Sequence, residues 1–174
     1  MKILITYGSK YGSTRSIAER IHDRLAAANI GEVTLAPFDK KLSINDFDVL
    51  ILGSCIHMQS WIRPSKKFIK RNADALQKNP KPTWAFSVGM PPDDQVEKEA
   101  KVMEKWLRKY VPLRGHTLFQ GMVNEQDVGG CFKLFFSCFG GKFEDKRKWN
   151  LMDDWADGIV QELRVDQQNA GLGN

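Results

Sequence analysis

Residues 2–28 read KILITYGSKYGSTRSIAERIHDRLAAA, and this stretch decides the fold. Lys2–Tyr7 is a short apolar run rich in β-branched residues, the composition of a buried strand. Gly8–Thr14 is polar. Behind it Ile17, Ile21, Leu25 and Ala28 recur at about one helical turn. The chain therefore passes from a strand through a tight loop into an amphipathic helix. Asn29 and Gly31 are the expected terminators of that helix.

The alternation continues downstream. Glu32–Phe38 reads as a second strand and Leu42–Phe47 as a turn. Asp48–Gly53 (DVLILG) is the most strand-like run and belongs at the sheet centre. Ser54–Arg63 is expected to be a loop. Pro64 opens a helix that runs to about Lys78 and buries Phe68, Ile69 and Leu76. Pro82–Gly89 (PTWAFSVG) is a fourth strand. Asp94 and Glu97 suggest a capping box for a helix lined by Val96, Ala100, Met103, Leu107 and Tyr110. Gly115–Val123 is a fifth strand, and Met152, Trp155, Ile159 and Leu163 mark a last helix ending near Val165.

Strands alternating with helices imply an α/β fold with a parallel sheet covered on both faces. Five strands fit the doubly wound order 2-1-3-4-5. We read residues 1–165 as one domain and 166–174 as a flexible polar tail. Residues 124–148 form an insertion between the fifth strand and the last helix, far longer than the ~2–6 residues usual for such a connection. Its centre, Cys131–Phe139 (CFKLFFSCF), holds four Phe and one Leu. It is either a functional flap or a satellite of the core.

Composition sets the outer limits. The chain has 174 residues, enough for one domain with a real core. No apolar run approaches the ~20 residues of a spanning helix, and no signal peptide opens it, so a cytoplasmic protein is expected. Cys55, Cys131 and Cys138 do not read as a disulfide framework, and His22, His57 and His116 lack metal-ligand spacing, so no metal is expected. The net charge is +5. Part of it is a cluster on the third helical region, Arg63, Lys66, Lys67, Lys70 and Arg71. That cluster is either a solvated face or an attractor for carboxylates or anionic headgroups. No basic-aromatic motif for nucleic acid stands out.

Three loops follow strands that flank the switch point of a doubly wound sheet, where ligands bind. The first is Ser9-Lys10-Tyr11-Gly12-Ser13-Thr14. Backbone N–H groups at a helix N-terminus, three hydroxyls and a glycine that admits close approach suit a phosphate. The alternative is that Ser13 or Thr14 only caps the helix. The second is Ser54-Cys55-Ile56-His57-Met58-Gln59-Ser60-Trp61. Ser54 and backbone groups would bond a ligand, while His57, Met58 and Trp61 pack beside it or Trp61 belongs to the core. Cys55 reads as a small buried residue, since no general base accompanies it. The third is Ser87-Val88-Gly89-Met90-Pro91, which supplies backbone amides or is an ordinary turn.

The run ITYGSKYGSTRSIAERI resembles the FMN-phosphate loop of the flavodoxin family, pattern [ST]-x-T-G-x-T. Ser9, Gly12 and Thr14 match, Tyr11 replaces the usual Thr, and Ser13 falls on the variable position. The resemblance implies a flavodoxin-like fold with FMN as cofactor, held by Ser9, Lys10, Tyr11, Gly12, Ser13 and Thr14. Its ring would lie among Ser54, Cys55, Ile56, His57, Trp61, Ser87, Val88 and Gly89.

Over nearly its whole length the chain is similar to a subfamily, the menaquinone-dependent protoporphyrinogen IX dehydrogenases of the flavodoxin fold. The carrying residues are DVLILGSCIHMQSW, the apolar insertion with Gly140-Gly141, and KFEDKRKWNLMDDWADGI. This implies an FMN-dependent oxidoreductase of porphyrin metabolism. It would use a hydrophobic small-molecule donor, a quinone acceptor and no catalytic side chain. It also implies peripheral contact with the inner face of a membrane through residues 131–139. The competing reading is a flavodoxin-type electron carrier between redox proteins. An acidic docking surface would favour the carrier, and the basic balance of this chain runs the other way.

Overall fold

The computed structural model describes residues 1–123, 126 and 144–172. Five strands form a parallel sheet: β1 (Lys2–Gly8), β2 (Glu32–Pro37), β3 (Val49–His57), β5 (Thr83–Gly89) and β6 (Gly115–Gln120), in the spatial order β2-β1-β3-β5-β6. This is the doubly wound order read from the sequence. A short β4 (Ser60–Trp61) pairs antiparallel with the end of β3.

The central strands are apolar on both faces because helices cover both. In β1, Ile3 and Ile5 face one layer and Leu4 the other; in β3, Val49 and Ile51 oppose Leu50 and Leu52. One layer is α1 (Ser13–Ala27) with the last helix, α4 (Trp149–Leu172), packing Ile17, Ile21, Leu25, Met152, Ile159 and Leu163 on the sheet. The other is α2 (Arg63–Lys78) with α3 (Val96–Leu107), packing Phe68, Ile69, Leu76, Met103 and Leu107. Full burial of each such side chain stabilises by about 1.5–3 kcal/mol before chain entropy is charged. Arg20 and Arg24 clamp Asp153 and Asp157 with paired bonds of 2.6–2.7 Å, so α1 and α4 run side by side in the same direction.

Four local readings are corrected. β3 does not stop at Gly53 but runs to His57, and the expected loop after it is a tight hairpin with β4. Its turn residues, Met58 and Gln59, both take left-handed φ values of 49° and 57°, the backbone of a two-residue primed turn. Asp94 forms no capping box: residues 93–95 make a 3-10 turn, no side chain caps α3, and Glu97 pairs with Lys101 instead. β6 ends at Gln120, so Gly121–Val123 lie beyond the strand. Helix α4 continues past Val165 through the stretch read as a tail. Asp166 pairs with Arg114 at 2.5 Å and the Gln167 amide donates to the Ile30 carbonyl at 3.2 Å.

The 124–148 insertion is seen at Gln126 and residues 144–148. Its apolar centre, Cys131–Phe139, lies outside the described residues, as does the membrane contact expected there. No helix among the described residues is long and apolar enough to cross a membrane.

Candidate functional site

A cleft of about 590 Å³ opens at the carboxyl edge of the sheet, beyond the ends of β1, β3, β5 and β6. Its volume falls in the range of small-molecule and cofactor sites. Three walls are built by the three loops nominated from sequence, and a fourth by Gly121–Val123.

The first wall is the turn from β1 into α1. The Gly12 N–H donates to Ser9 Oγ at 3.1 Å, which closes the loop on itself. Gly12 takes φ 86°, and a Cβ placed there would meet no atom within 4 Å. The glycine is therefore required by backbone shape, and the space around it is open. No side chain caps α1 and no acidic residue occupies its first turn. Among the described residues, its leading N–H groups thus have no side-chain partner at their positive end. Ser13 does not cap either: its Oγ accepts from the Met122 N–H at 2.9 Å and ties α1 to the chain beyond β6. Thr14 is 1% exposed and lines the cleft, and among the described residues its hydroxyl meets no oxygen or nitrogen partner, only the Cys55 thiol, whose charged form it favours. Leaving a buried hydroxyl unsatisfied costs about 1–3 kcal/mol. Lys10 lies over the Tyr11 ring at 4.9 Å, on the rim.

The second wall is the β3–β4 hairpin, contributing Cys55, Ile56, His57, Met58 and Gln59. Burial pushes the Cys55 thiol above its ordinary range, so it stays protonated and is no nucleophile. Burial, aided by the Lys10 charge, lowers His57 below the usual imidazole value, keeping it neutral at neutral pH. The third wall is Val88–Pro92, backed by Glu99 from α3, whose carboxyl is raised by burial.

Three nominated residues stand elsewhere. Ser54 is fully buried and donates to Ser65 Oγ at 2.9 Å. Trp61 is 1% exposed and packs against Phe38 and Trp106. Its indole N–H donates to Ser87 Oγ at 2.8 Å, which takes Ser87 into the core with it. None of the three lines the cleft. Side chains alternate across β3 and β5, so these point into the α2–α3 layer. The other eleven, Ser9, Lys10, Tyr11, Gly12, Ser13, Thr14, Cys55, Ile56, His57, Val88 and Gly89, border the cleft or belong to its loops.

Sequence reasoning missed Pro92, Glu99, Gly121, Met122 and Val123 as lining residues. The rule that ligands sit beyond strand carboxyl ends would have found the last three, had the fifth strand been ended at Gln120. It also missed Arg147. That guanidinium donates to Ser16 Oγ at 2.8 Å and pairs with Asp145 at 2.6 Å, next to the first turn of α1.

The donor set fits FMN. An uncapped helix N-terminus, an open left-handed glycine and a hydroxyl without an oxygen or nitrogen partner converge at one end, as a phosphate requires. The remaining lining is mostly apolar, as a flat aromatic ring requires.

Comparison with known proteins agrees. Among curated proteins, none matches this chain by sequence. An archaeal flavodoxin superposes with TM-score 0.58 at 14% identity, covering 94% of this chain and 99% of that one. Flavodoxin 2 from Bacillus cereus gives 0.55 at 24% identity, over 80% and 99%. Rubredoxin:oxygen oxidoreductase from Desulfovibrio gigas gives 0.62 at 17% identity, over 94% of this chain but only 36% of that one. At these identities the likeness is one of fold. A Flavodoxin domain family model matches residues 4–141, most of the chain. The chain belongs to the flavodoxin domain family, whose members bind FMN.

Proposed function

We propose that this protein is an FMN-dependent oxidoreductase that takes electrons from a hydrophobic organic donor of the protoporphyrinogen IX type and passes them to a quinone. When bound, FMN supplies the two-electron chemistry; the protein binds, orients and shields. Thr14 and the α1 N-terminus would hold the phosphate. The Cys55–Gln59 hairpin and Val88–Pro92 would flank the ring.

The observation that carries the finer reading is the lining beyond the phosphate end. Ile56, Met58, Val88, Met90, Pro91 and Met122 make it apolar, and Met58, at the hairpin tip, is 85% exposed. Together these side chains form an apolar lining that suits an apolar reactant. His57 neutral and Cys55 protonated leave the hairpin wall uncharged, while Glu99 backs the opposite wall and Lys10 stands on the rim.

The test is anaerobic mixing of FMN-loaded protein with protoporphyrinogen IX and a menaquinone analogue, following porphyrin fluorescence. Fluorescence that grows only with flavin and quinone present supports the reading. Bound FMN with no porphyrin above background overturns the donor and leaves the carrier reading.

A further inference from the structure

Helix α2 holds the charge of this protein. Arg63, Lys66, Lys67, Lys70, Arg71 and Lys78 stand against the single acid Asp74, a net +5 on one helix. That equals the net charge of the whole chain, so the rest is neutral in sum. The spacing puts all of these on one stripe, opposite the buried Phe68, Ile69, Ala73 and Leu76.

Many cations of the other helices are ion-paired, although Lys98 and Lys105 on α3 meet no carboxylate among the described residues and Arg164 on α4 donates to the Ala28 carbonyl. Arg15, Lys101 and Arg108 each pair with a Glu one turn away, and Arg20 and Arg24 pair across to α4. Among the described residues, no carboxylate stands within 4 Å of an α2 cation. Arg71 donates to the carbonyls of Asp39, Lys40 and Leu42, and Lys66 to Ser60 Oγ, all neutral acceptors. The stripe also works against its own helix. Lys66 and Lys70, and Lys67 and Arg71, are like charges one turn apart. Arg63 and Lys66 stand in the first turn, where the helix dipole disfavours cations. Part of the stripe serves the fold, through Arg71, Lys66 and Lys70 over the Tyr110 ring at 5.7 Å, yet the like charges one turn apart and the cations at the helix start still cost it, which points to a further gain outside the fold.

The stripe starts at the cleft. A Cβ on Gly8, at the end of β1, would meet Ser65 and Ile62, so the α2 N-terminus abuts the β1 edge. Lys66 bonds Ser60, the residue after the cleft-lining Gln59.

We infer that the outer face of α2 docks an acidic protein, a redox partner that exchanges electrons at the cleft. The inference rests on reading the cleft as a redox site for what the partner does there, not for whether it binds. A protein fits better than a lipid surface because no large apolar side chain is exposed on α2 to enter a bilayer interface.

The test compares the FMN-loaded parent with two variants of equal charge change, Lys67→Glu/Lys70→Glu on α2 and Lys98→Glu/Lys105→Glu on α3. The probe is a plant-type ferredoxin, a small redox protein with an acidic surface, measured by calorimetry over a salt series. The α2 variant is expected to weaken association by roughly tenfold or more and to flatten its salt dependence, with the α3 variant near the parent. Flavin titration and heating curves of each variant report FMN binding and folding separately, so a failed flavin reading does not mask the docking result. Equal weakening in both variants, or no association with the parent at low salt, overturns the inference. So does capture by phosphatidylglycerol vesicles that the α2 variant abolishes while ferredoxin association persists.

Discussion

The Trp61 indole donates to the Ser87 hydroxyl at 2.8 Å, and His116 Nε2 meets the same oxygen at 2.9 Å from the next strand. One serine thus joins the hairpin strand β4, the central β5 and the edge strand β6 beneath the cleft floor.

Removing that oxygen leaves two buried polar groups without their shared partner. Ser87→Ala is expected to lower unfolding stability by about 2 kcal/mol, the cost of orphaning a buried donor. FMN affinity should stay close to that of the parent. Urea unfolding beside flavin titration checks both, and a large loss of flavin affinity would return Ser87 to the site.

His116 carries the pH dependence of this network. Burial depresses its pKa from 6.5 to about 4, and its Nδ1 has no partner. The sign follows directly. The unfolded chain takes up a proton as pH drops through 6.5, while the folded chain resists until about 4. The stability linked to His116 is therefore complete above pH 6.5 and lost as pH falls to about 4, up to ~3 kcal/mol in all. Urea midpoints for the parent should fall across that window, and a His116→Gln variant should show a flatter curve. Equal slopes would refute the assignment.

Thr14→Val separates a binding hydroxyl from a structural one. Valine keeps the shape and removes the hydroxyl oxygen, so the flavin-free protein should be as stable as the parent or slightly more so. FMN should bind about tenfold more weakly, the worth of one hydrogen bond to a charged group. Loss of flavin-free stability would show that the hydroxyl serves the fold instead.

Two glycines should lose stability on substitution by alanine for different reasons and by different amounts. A Cβ on Gly53 would lie 2.1 Å from the Phe86 ring, which is fully buried and held against Phe119 and Trp155. Gly53→Ala is expected to cost about 3 kcal/mol through overpacking. At Gly12 the space is open, and Gly12→Ala should cost only about 1–2 kcal/mol of left-handed backbone strain. Thermal unfolding orders the two, and Phe86→Leu should partly rescue Gly53→Ala but not Gly12→Ala.

The sheet was legible because its signals are local. KILITY and DVLILG are apolar at successive positions, and only strands covered on both faces tolerate that. The loop proposed for the phosphate was legible as a strand-to-helix turn for the same reason: Ser9, Gly12 and Thr14 lie within a few residues of one another. The hairpin wall was read less well. Met58 and Gln59 adopt left-handed backbone with neither Gly nor Asn present, so no turn residue announces the reversal that pairs Ile56 with Trp61.

The sequence by itself determined the order of the five main strands and the doubly wound topology, since periodicity and turn chemistry act over a few residues. Only the tertiary structure decided which side chains face the cleft. The hairpin and the alternation of β3 and β5 send Ser54, Trp61 and Ser87 into the core. The unpaired charge of α2 and the Thr14 hydroxyl without an oxygen or nitrogen partner emerge only when every neighbour is in place, because a missing partner is a property of three-dimensional packing.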